Sequence, residues 1–500
     1  MRLPRPVLLT AALLIAGTAT AQDGGEGSLL RRHEAMLVLD HQAIDVPGDA
    51  PIDLLGFHVF HRVSDSLYLG AGVLAPHFKG EYGGFMAFDL AAHWRKRLAG
   101  PLFATAGVAA GGGGGGRSMA QSTVLSGTGG FARAYAGLGW DFGSFSVGAN
   151  VSRLKFKDSA IDGTQANVFV EIPYSWLSGP YDRRGQTLPP AEDRRAAAEG
   201  GENMFTLTLD NVHQIDPQAE FKGVLRLAEL QYAHFFRPDT YWFGALGVGY
   251  RGLPIYNQVI GGVGQRLRLS PKVTLYGQLG LGSGGWAPER IDTGSGFLVY
   301  PRLSAEYALT DHLGLAFSVG HLAAPKGTSR NTTWGLALTH HLRPGGAGSA
   351  PAVLSGFRVG LFHQTDFGLR YNEIERPPLQ MIGVQVDTPL GERWYLPLQA
   401  AVAYTDYLGY PGYGELLAGL GLQTRAGKGE RWQAFGQVMA GANVHGTAVK
   451  ASAGLRYRLD ERLAVQANLG RIEARNASGR RFTAGTLNVG VDFSFSVPTR

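Results

Sequence analysis

Residues 449–459 read Val-Lys-Ala-Ser-Ala-Gly-Leu-Arg-Tyr-Arg-Leu, and the pattern of these residues predicts the secondary structure of the chain. Apolar or small side chains lie on one face from Val449 to Leu459, and lysine, serine and arginine lie on the other. A period of two residues is that of an extended strand, whose successive side chains point to opposite faces. The pattern persists for about eleven residues, roughly twice the length of an average globular strand.

The same alternation recurs along the rest of the chain. It is present in 134–140 and 303–309, and after charged turns it reappears in 313–319 and 463–469. Helical spacing fits none of these segments over a comparable length. The periodicity therefore predicts an all-β protein.

The composition indicates that these strands cross a membrane. Charged residues make up 17% of the 500 residues, glycine accounts for 73, and the absence of cysteine excludes disulfides and thiolate metal sites. Beyond the N-terminus, no apolar run approaches the ~18 residues of a spanning helix. Long strands with one apolar and one weakly charged face, joined by short turns and longer loops, are typical of a transmembrane antiparallel β-barrel. A secreted β-sandwich or solenoid array is the alternative.

The N-terminus predicts that the protein is exported. Two arginines in the first five residues precede an apolar segment, and Ala19 and Ala21 frame a small-x-small cleavage site before Gln22. We therefore expect residues 1–21 to be a signal peptide. Loss of its two arginines lowers the formal charge from +6 to +4. On so long a chain this is no footprint of nucleic-acid binding.

The chain contains three copies of one unit. Leu303–His321 aligns without a gap with Ala453–Arg471 at an offset of 150, and Gly56–Tyr68 aligns with Gly383–Tyr395. Polar interruptions that contain proline separate the copies. The predicted organisation is a signal peptide at 1–21, β-barrel repeats at 29–176, 203–342 and 354–496, and linkers at 177–202 and 343–353.

The number of barrels remains open at this point. About eight alternating runs per copy give roughly 24 strands, an even number as in bacterial barrels. Either a single barrel of about 24 strands or three tandem eight-stranded barrels satisfies the count. The wide barrel would have an aqueous or plugged lumen, whereas side chains fill an eight-stranded interior. We expect the single barrel, because glycine-rich inward faces would pack an eight-stranded interior poorly.

Apolar residues alternate through the last strand of the chain, and Gly490, Phe493 and Phe495 end it. This segment resembles the closing-strand signal of Gram-negative outer-membrane β-barrel proteins. Members of that family usually end on the aromatic residue itself, whereas 496–500 follow here. The resemblance implies recognition by the barrel-insertion machinery, and it identifies no subfamily.

Four arginines are predicted to face the barrel interior: Arg266, Arg268, Arg456 and Arg458. In an open lumen they would form a cationic lining that favours a small or polymeric anionic solute. Alternatively, cross-strand pairing with inward acids such as Glu306 or Asp460 leaves little net field.

Motifs for covalent chemistry are weak. His321 with Asn331 faintly resembles the active-site segment of outer-membrane lipid A deacylases, but Ala323 stands where the nucleophilic serine would be. His340 and His341 are adjacent, so they point to opposite faces of a strand and cannot bind one metal ion together. We expect no catalytic residue, no cofactor and no metal site.

The sequence predicts a non-enzymatic channel or export conduit in the outer membrane. A non-conducting structural or surface-binding protein is the first alternative, and a lipid-modifying enzyme is the second. Outer-membrane lipid and the insertion machinery are the expected partners, and nucleic acid is not. The run Gly111–Gly116 lacks the lysine of a phosphate loop and predicts a flexible loop or a plug contact.

Overall fold

The computed structural model describes residues 28–499, except 121, 123, 200, 201, 287, 311, 343–350, 426–429 and 477. The predicted signal peptide, with Ala19, Ala21 and Gln22, lies outside these residues. The described part of the chain forms 25 strands, a 3-10 turn at Tyr181–Arg183 and one helix, α1, at Pro190–Glu199. None of its helices is long and apolar enough to cross a membrane.

The strands are grouped in chain order into three antiparallel barrels. Barrel 1 comprises β1 (Arg31–Ile44), β2 (Ile52–Arg62), β3 (Leu67–Pro76), β4 (Met86–Ala99), β5 (Leu102–Gly114), β6 (Gly130–Asp141), β7 (Ser146–Phe156) and β8 (Asp162–Ser178). Barrel 2 comprises β9 (Asn203–Gln214), β10 (Val224–Arg237), β11 (Thr240–Arg251), β12 (Asn257–Arg268), β13 (Val273–Gly285), β14 (Phe297–Ala308), β15 (Leu313–Ala323) and β16 (Arg330–Leu342). Barrel 3 comprises β17 (Val353–Tyr371), the short β18 (Ile374–Glu375), β19 (Leu379–Pro389), β20 (Trp394–Ala403), β21 (Gly414–Gln423), β22 (Trp432–Asn443), β23 (Gly446–Arg458), β24 (Leu463–Arg475) and β25 (Arg481–Thr499).

Each of the three sheets closes on itself. β1 pairs with β8, β9 with β16 and β17 with β25, all in antiparallel register. The all-β fold of three eight-stranded units is therefore confirmed, with β18 as an extra strand in barrel 3. The expectation of one 24-stranded barrel is wrong. Closure within each unit already pairs every strand edge, which is what a lipid environment requires.

Inward glycines do not leave the interiors loose. A Cβ atom on Gly264 would lie 2.4 Å from the ring of Tyr241, and one on Gly421 would lie 2.1 Å from the ring of Tyr395. Both tyrosines are fully buried. Glycine thus provides the space that a neighbouring aromatic ring occupies. Glycine-rich faces therefore fill an eight-stranded barrel, contrary to the expectation that favoured a single wide one.

Burial alternates along the strands. On β23 the side chains of Lys450 and Arg456 are enclosed, whereas Val449 and Leu455 are 48% and 52% exposed. On β14 the outward Leu303 is 64% exposed. An apolar outer surface around a polar and aromatic interior is the arrangement of barrels that span a lipid bilayer.

The two ends of the barrels differ in their connections. At the turn end, short turns such as 100–101 and 142–145 join the strands, and the segment that follows barrel 1 begins there. At the loop end the connections include the longer 115–129 and 286–296. Short turns face the periplasm in bacterial outer-membrane barrels. This places the turn end at the periplasm and the loop end outside the cell.

Each barrel contacts the other two. Between barrels 1 and 2, the Gly83 N–H donates a 2.9 Å hydrogen bond to the Gly294 carbonyl. Between barrels 1 and 3, Gly112 and Gly114 pack closely against the backbone of residues 403–412. Between barrels 2 and 3, β11 lies against β22 and β23. The glycine run is therefore the end of strand β5 and part of an interface between barrels, instead of a flexible loop.

Strand β25 continues beyond the closing-strand aromatic. The Gly179 N–H donates to the Ser496 carbonyl at 2.8 Å, and the Ser496 N–H donates to the Gly179 carbonyl at 3.0 Å. β17 pairs with β25 as far as Thr499. The residues after Phe495 are thus strand residues that attach barrel 3 to the end of barrel 1.

The segment after barrel 1 packs beneath barrel 3. The Leu188 N–H donates to the Ala352 carbonyl at 2.8 Å, which places this segment beside the start of β17. The Tyr181 hydroxyl accepts a 3.3 Å hydrogen bond from the guanidinium of Arg358, which is buried inside barrel 3. This segment therefore packs against the turn end of barrel 3.

Segments that align in sequence occupy equivalent strands. Leu303–His321 spans β14 and β15, and Ala453–Arg471 spans β23 and β24, which are the sixth and seventh barrel strands of their units. Gly56–Tyr68 and Gly383–Tyr395 each run from the second barrel strand into the third. Similar sequence therefore specifies the same place in different barrels.

Candidate functional site in the barrel interiors

Apolar side chains close the loop end of each barrel. In barrel 1, Phe85 and Phe156 are fully buried with ring centroids 5.8 Å apart in an edge arrangement. Tyr256 is fully buried in barrel 2, and Tyr413 packs on Phe482 in barrel 3 at 5.7 Å. Aromatic pairs at these separations attract each other. The loop end of every barrel is therefore sealed by its own side chains.

Charged side chains fill the turn end of barrel 2. The guanidinium of Arg266 donates to both oxygens of Glu202, at 2.5 and 2.6 Å, and lies 3.5 Å from Asp239. The ring of His341 lies 3.4 Å from Glu202 and 3.0 Å from Glu306. Burial alone would raise the pKa of Glu202, which precedes β9, but hydrogen bonds from His341 and Arg266 hold this pKa below its usual range. The charge of Arg266 is thus neutralised inside the barrel.

A second ionic layer lies deeper in barrel 2. Arg302 is buried, donates to Glu229 at 2.5 Å and to the Thr208 hydroxyl at 3.0 Å, and lies 3.6 Å from Asp210. Gln258 donates to the other oxygen of Glu229 at 3.0 Å. Placing the cation between two carboxylates offsets part of the cost of removing these charges from water.

Barrel 3 contains a comparable network near its turn end. Arg456 pairs with Asp492 and lies 3.5 Å from Asp387, which also accepts a 3.0 Å hydrogen bond from Arg358. All four side chains are buried. Two cations therefore face two anions, and the network is neutral overall.

Lys450 is fully enclosed in barrel 3. Its ammonium donates to Gln364 at 2.5 Å and to Gln399 at 3.1 Å, and it lies 3.8 Å from the Glu415 carboxylate. Gln364 in turn donates to Asp366 at 2.8 Å. The enclosed ammonium is therefore both hydrogen-bonded and next to a carboxylate, as a buried charge requires.

Barrel 1 has a histidine-containing interior. His58 lies 3.0 Å from Asp89, and Arg133 pairs with Asp40. All four side chains are buried. In the aligned segments His58 corresponds to Gln385, which is hydrogen-bonded to a second glutamine in barrel 3. The equivalent interior positions thus keep a polar network while its members change.

A second histidine of barrel 1, His93, is buried beside hydroxyl and carboxylate groups. Nε2 of His93 faces both the Thr105 hydroxyl, at 3.1 Å, and the Glu171 carboxylate, at 3.4 Å. Nδ1 faces the Tyr135 hydroxyl at 2.7 Å. The Thr105 hydroxyl also lies 3.4 Å from Nδ1. His93 therefore belongs to a hydrogen-bond network with hydroxyl and carboxylate groups inside barrel 1.

His321, His340 and His341 lie on different faces or strands of barrel 2. His321 is exposed on the outward face of β15, whereas Asn331 is buried and donates to the Leu322 carbonyl at 3.0 Å. His340 is half-buried on the outward face of β16, and the adjacent His341 enters barrel 2. The lipid A deacylase arrangement is thus not assembled by these residues.

The four arginines that were predicted to line a lumen occupy two kinds of position in the structure. Arg266 and Arg456 lie inside barrels and are paired, although with other acids than Glu306 or Asp460. Arg268 lies at the turn end with its side chain 48% exposed and 3.9 Å from Glu202, and Arg458 donates to the Glu430 carbonyl at 2.6 Å. Two of the four predicted lining residues therefore lie inside barrels in ion pairs, and the other two lie at the turn end.

Sequence reasoning did not single out Arg302, Arg358 and Lys450 as members of charged networks. The available signal was an isolated charge at an inward position of a long alternating strand. Cavities of about 20 Å³ remain beside Asp40 and His58 in barrel 1 and beside Arg302 in barrel 2. Each has room for about one water molecule.

No protein-family model and no curated protein matches the sequence. Among solved structures, the outer membrane protein Ail of Yersinia pestis is 16% identical over 28% of this chain and 99% of its own, with a TM-score of 0.21. A variant of the ferric enterobactin receptor PfeA of Pseudomonas aeruginosa is 10% identical over 92% of this chain and 81% of its own, with a TM-score of 0.30. The siderophore receptor PiuA of Acinetobacter baumannii is 9% identical over 95% and 82%, also with a TM-score of 0.30. Nothing about function follows from likenesses this distant.

The class of protein follows from the fold itself. Antiparallel strands close into barrels with an apolar exterior and a polar or aromatic interior, and short turns gather at one end. Only closed barrels and helices satisfy all backbone hydrogen bonds inside lipid. The chain is an outer-membrane β-barrel protein composed of three eight-stranded barrels.

Proposed function

We propose that this protein is a non-conducting, non-enzymatic component of the outer membrane that supplies structure or a binding surface. The filling of all three interiors carries the proposal. Each barrel is closed by apolar side chains at the loop end and contains paired charges or polar networks below them. Eight strands enclose only enough space for side chains. This favours the non-conducting alternative over the channel or export conduit.

The pairing of the inward arginines also argues against transport of an anionic solute. Arg266 contacts Glu202 and Asp239, and Arg456 contacts two aspartates. Their charges are therefore compensated within the protein. A selective cationic lining requires charges that remain available to the passing ion.

The loop ends offer the surface for binding. The Ser295 hydroxyl of barrel 2 donates to the His77 carbonyl of barrel 1 at 2.6 Å, and Gly114 of barrel 1 packs against Gly412 of barrel 3. The loops of barrel 1 therefore contact those of both other barrels. Several apolar side chains on this face are exposed: Phe78, Met119, Ile215 and Tyr410. A fixed face with exposed apolar groups suits the binding of a partner.

Recognition by the barrel-insertion machinery and contact with outer-membrane lipid belong to the same proposal. Phe493 and Phe495 lie on the outward face of β25 with ring centroids 5.7 Å apart. A Cβ atom on Gly490 would lie 2.4 Å from the Leu361 carbonyl oxygen of β17, so glycine permits the close approach that closes the barrel. These features support a role for β25 as the recognised strand. Nucleic acid is not a partner in this proposal.

Conductance of the refolded mature chain in a planar lipid bilayer tests the proposal. We expect no stable current steps from protein that is shown to be β-folded by circular dichroism and inserted by protease protection in vesicles. Large, stable steps would overturn it. If the anion selectivity of such steps fell in Arg266→Gln or Arg456→Gln, the channel with an arginine lining would replace it.

A further inference from the structure

A group of arginines lies on the outer surface of barrel 3 at its loop end. We name it the arginine patch. It comprises Arg471 and Arg475 from the end of β24, Arg481 from the start of β25 and Arg370 from the end of β17. These strands are neighbours, because β25 pairs with β24 on one side and with β17 on the other. The side chain of Arg481 is 41% exposed, and the other three arginines are exposed as well.

The strand register places the arginines side by side. Arg475 lies directly opposite Arg481. Arg370 lies directly opposite Thr483, which is the next outward residue of β25 after Arg481. Residues opposite each other on one face have Cβ atoms about 4.5–5.5 Å apart, and like charges in such a pair destabilise a sheet. Arg475 and Arg481 are therefore a pair that a bound anion would stabilise.

One glutamate lies within the patch. The Glu473 carboxylate accepts a 3.0 Å hydrogen bond from Arg471 and a 2.8 Å hydrogen bond from Arg481. One negative charge is thus shared by two guanidinium groups, and these three side chains keep one positive charge in excess. Among the residues that the structure describes, Arg370 and Arg475 have no ion-pair partner.

The other charged residues of this region do not cancel the excess. Glu375 lies opposite Arg370 in the hairpin of β17 and β18, and Glu373 is close enough to Arg481 for its charge to act there. Residues 367–376 and 469–485 together contain six arginines, three glutamates and no other charged residue, which gives a formal net charge of +3. The outward residues of β23 that pair with this part of β24 are uncharged: Thr447, Val449 and Ala451.

The apolar outer surface of barrel 3 begins directly beside the patch, on the side toward the turn end. Leu469 and Leu487 lie opposite each other, one outward position from Arg471, and they are 59% and 39% exposed. Phe367 is 45% exposed, and a Cβ atom on Gly485 would lie 2.6 Å from its ring. The boundary between charged and apolar side chains therefore crosses β24 and β25 at the same level. In a spanning barrel this boundary is the edge of the hydrocarbon layer, where lipid headgroups lie.

We infer that the arginine patch binds the phosphate groups of lipid A in the outer leaflet of the outer membrane. The loop end lies outside the cell, so the headgroups within reach of the patch are those of that leaflet. Guanidinium groups donate paired hydrogen bonds to phosphate oxygens. The acyl chains of the bound lipid would run along Leu469, Leu487 and the apolar surface that continues from them. The inference goes beyond the proposed function and does not depend on whether the barrels conduct.

Native mass spectrometry of the intact mature protein, released from detergent micelles with added bisphosphorylated lipid A, tests the inference. We expect one tightly retained lipid A, and about tenfold weaker retention in both Arg471→Gln and Arg475→Gln, since each loses charged hydrogen bonds. Glu473→Gln should strengthen retention, because it removes the carboxylate that competes with phosphate for Arg471 and Arg481.

Arg425→Gln is the matched control. Arg425 is an exposed arginine of the same barrel that pairs with Glu392 at 2.8 Å, but it lies at the turn end. This variant should retain lipid A as the parent does. Arg475 is exposed and has no ion-pair partner in the described part of the chain, so its substitution keeps the test valid if Arg471→Gln misfolds.

The other outcomes overturn the assignment in distinguishable ways. Equal retention in the parent, both arginine variants and the control would show that the patch is not the site. Equal weakening in the arginine variants and in Glu473→Gln would show that the substitutions loosen the barrel end without removing a phosphate contact. Equal retention of lipid A that lacks its phosphate groups would show that phosphate is not recognised. Displacement of lipid A by millimolar inorganic phosphate would show that the free ion, and not the lipid, is bound.

Discussion

Replacement of Arg302 by methionine should destabilise barrel 2 by about 3–5 kcal/mol. Arg302 is buried with its guanidinium 2.5 Å from Glu229 and 3.6 Å from Asp210. Methionine occupies much of the same space, so the principal effect is electrostatic: both carboxylates remain buried without their cation. Removal of one partner of a buried ion pair costs about this much, because the remaining charge is uncompensated.

Urea unfolding of the refolded protein in lipid vesicles, followed by tryptophan fluorescence, measures this loss. Arg290→Met is the matched control, because Arg290 pairs with Glu220 at 2.9 Å while both side chains are about half exposed. An exposed pair contributes at most ~1 kcal/mol. Adding Glu229→Gln to Arg302→Met should recover part of the lost stability, because it removes one of the stranded charges. A loss below ~1 kcal/mol in Arg302→Met, or one equal to the control, would refute the role assigned to the buried network.

Three further predictions concern packing, pH and the segment between barrels. Gly421→Val should destabilise barrel 3 by ~1–3 kcal/mol. A Cβ atom at this position would lie 2.1 Å from the Tyr395 ring, and overpacking of an interior costs about this much. An unchanged midpoint of urea unfolding would contradict the interior packing. Burial alone would raise the pKa of Asp49, but hydrogen bonds from Arg117 and its neighbours lower it. The Asp49 contact between the 45–51 and 115–129 loops is therefore complete at neutral pH and is lost as the pH falls through this lowered pKa, beginning below about pH 4. Cleavage of the 115–129 loop by an acid-active protease should therefore increase only below about pH 4. The Asp49→Asn variant should already be cleaved in this loop at pH 7. Equal cleavage of parent and variant at pH 7 would argue against the contact. Tyr181→Ala should loosen the 179–189 segment against barrel 3, although its backbone hydrogen bonds remain, and so speed its cleavage by a periplasmic-side protease. An unaltered rate would show that the tyrosine does not contribute to holding the segment.

Much of the local structure could be predicted because it depends on neighbours in sequence. The alternation in 449–459 predicts both that β23 forms and that Lys450 and Arg456 point inward, which the burial of these side chains matches. Equivalent strands carry the aligned segments for the same reason. The positions of His340 and His341 on opposite faces also follow from the geometry of one strand.

The number of barrels could not be predicted in this way. One barrel of 24 strands and three of eight have the same alternation, the same hairpins and the same apolar outer face. They differ only in whether β8 pairs with β1 or with β9, which is a contact between segments far apart in sequence. The glycine content of the inward faces did not predict the number of barrels. Its effect on packing depends on whether a ring such as that of Tyr395 occupies the space beside the glycine.

The sequence alone was sufficient to predict long amphipathic strands with an apolar side for lipid. Successive side chains of a strand point alternately to lipid and to the barrel interior, so apolar and polar residues alternate along the chain. The tertiary structure alone decided what the inward and interface charges contact. Arg456 contacts aspartates on β19 and β25, and Arg302 contacts acids on β9 and β10. The physical reason is that charge pairing and charge crowding depend on distance in space, which is established only when each barrel has closed and the barrels have packed together.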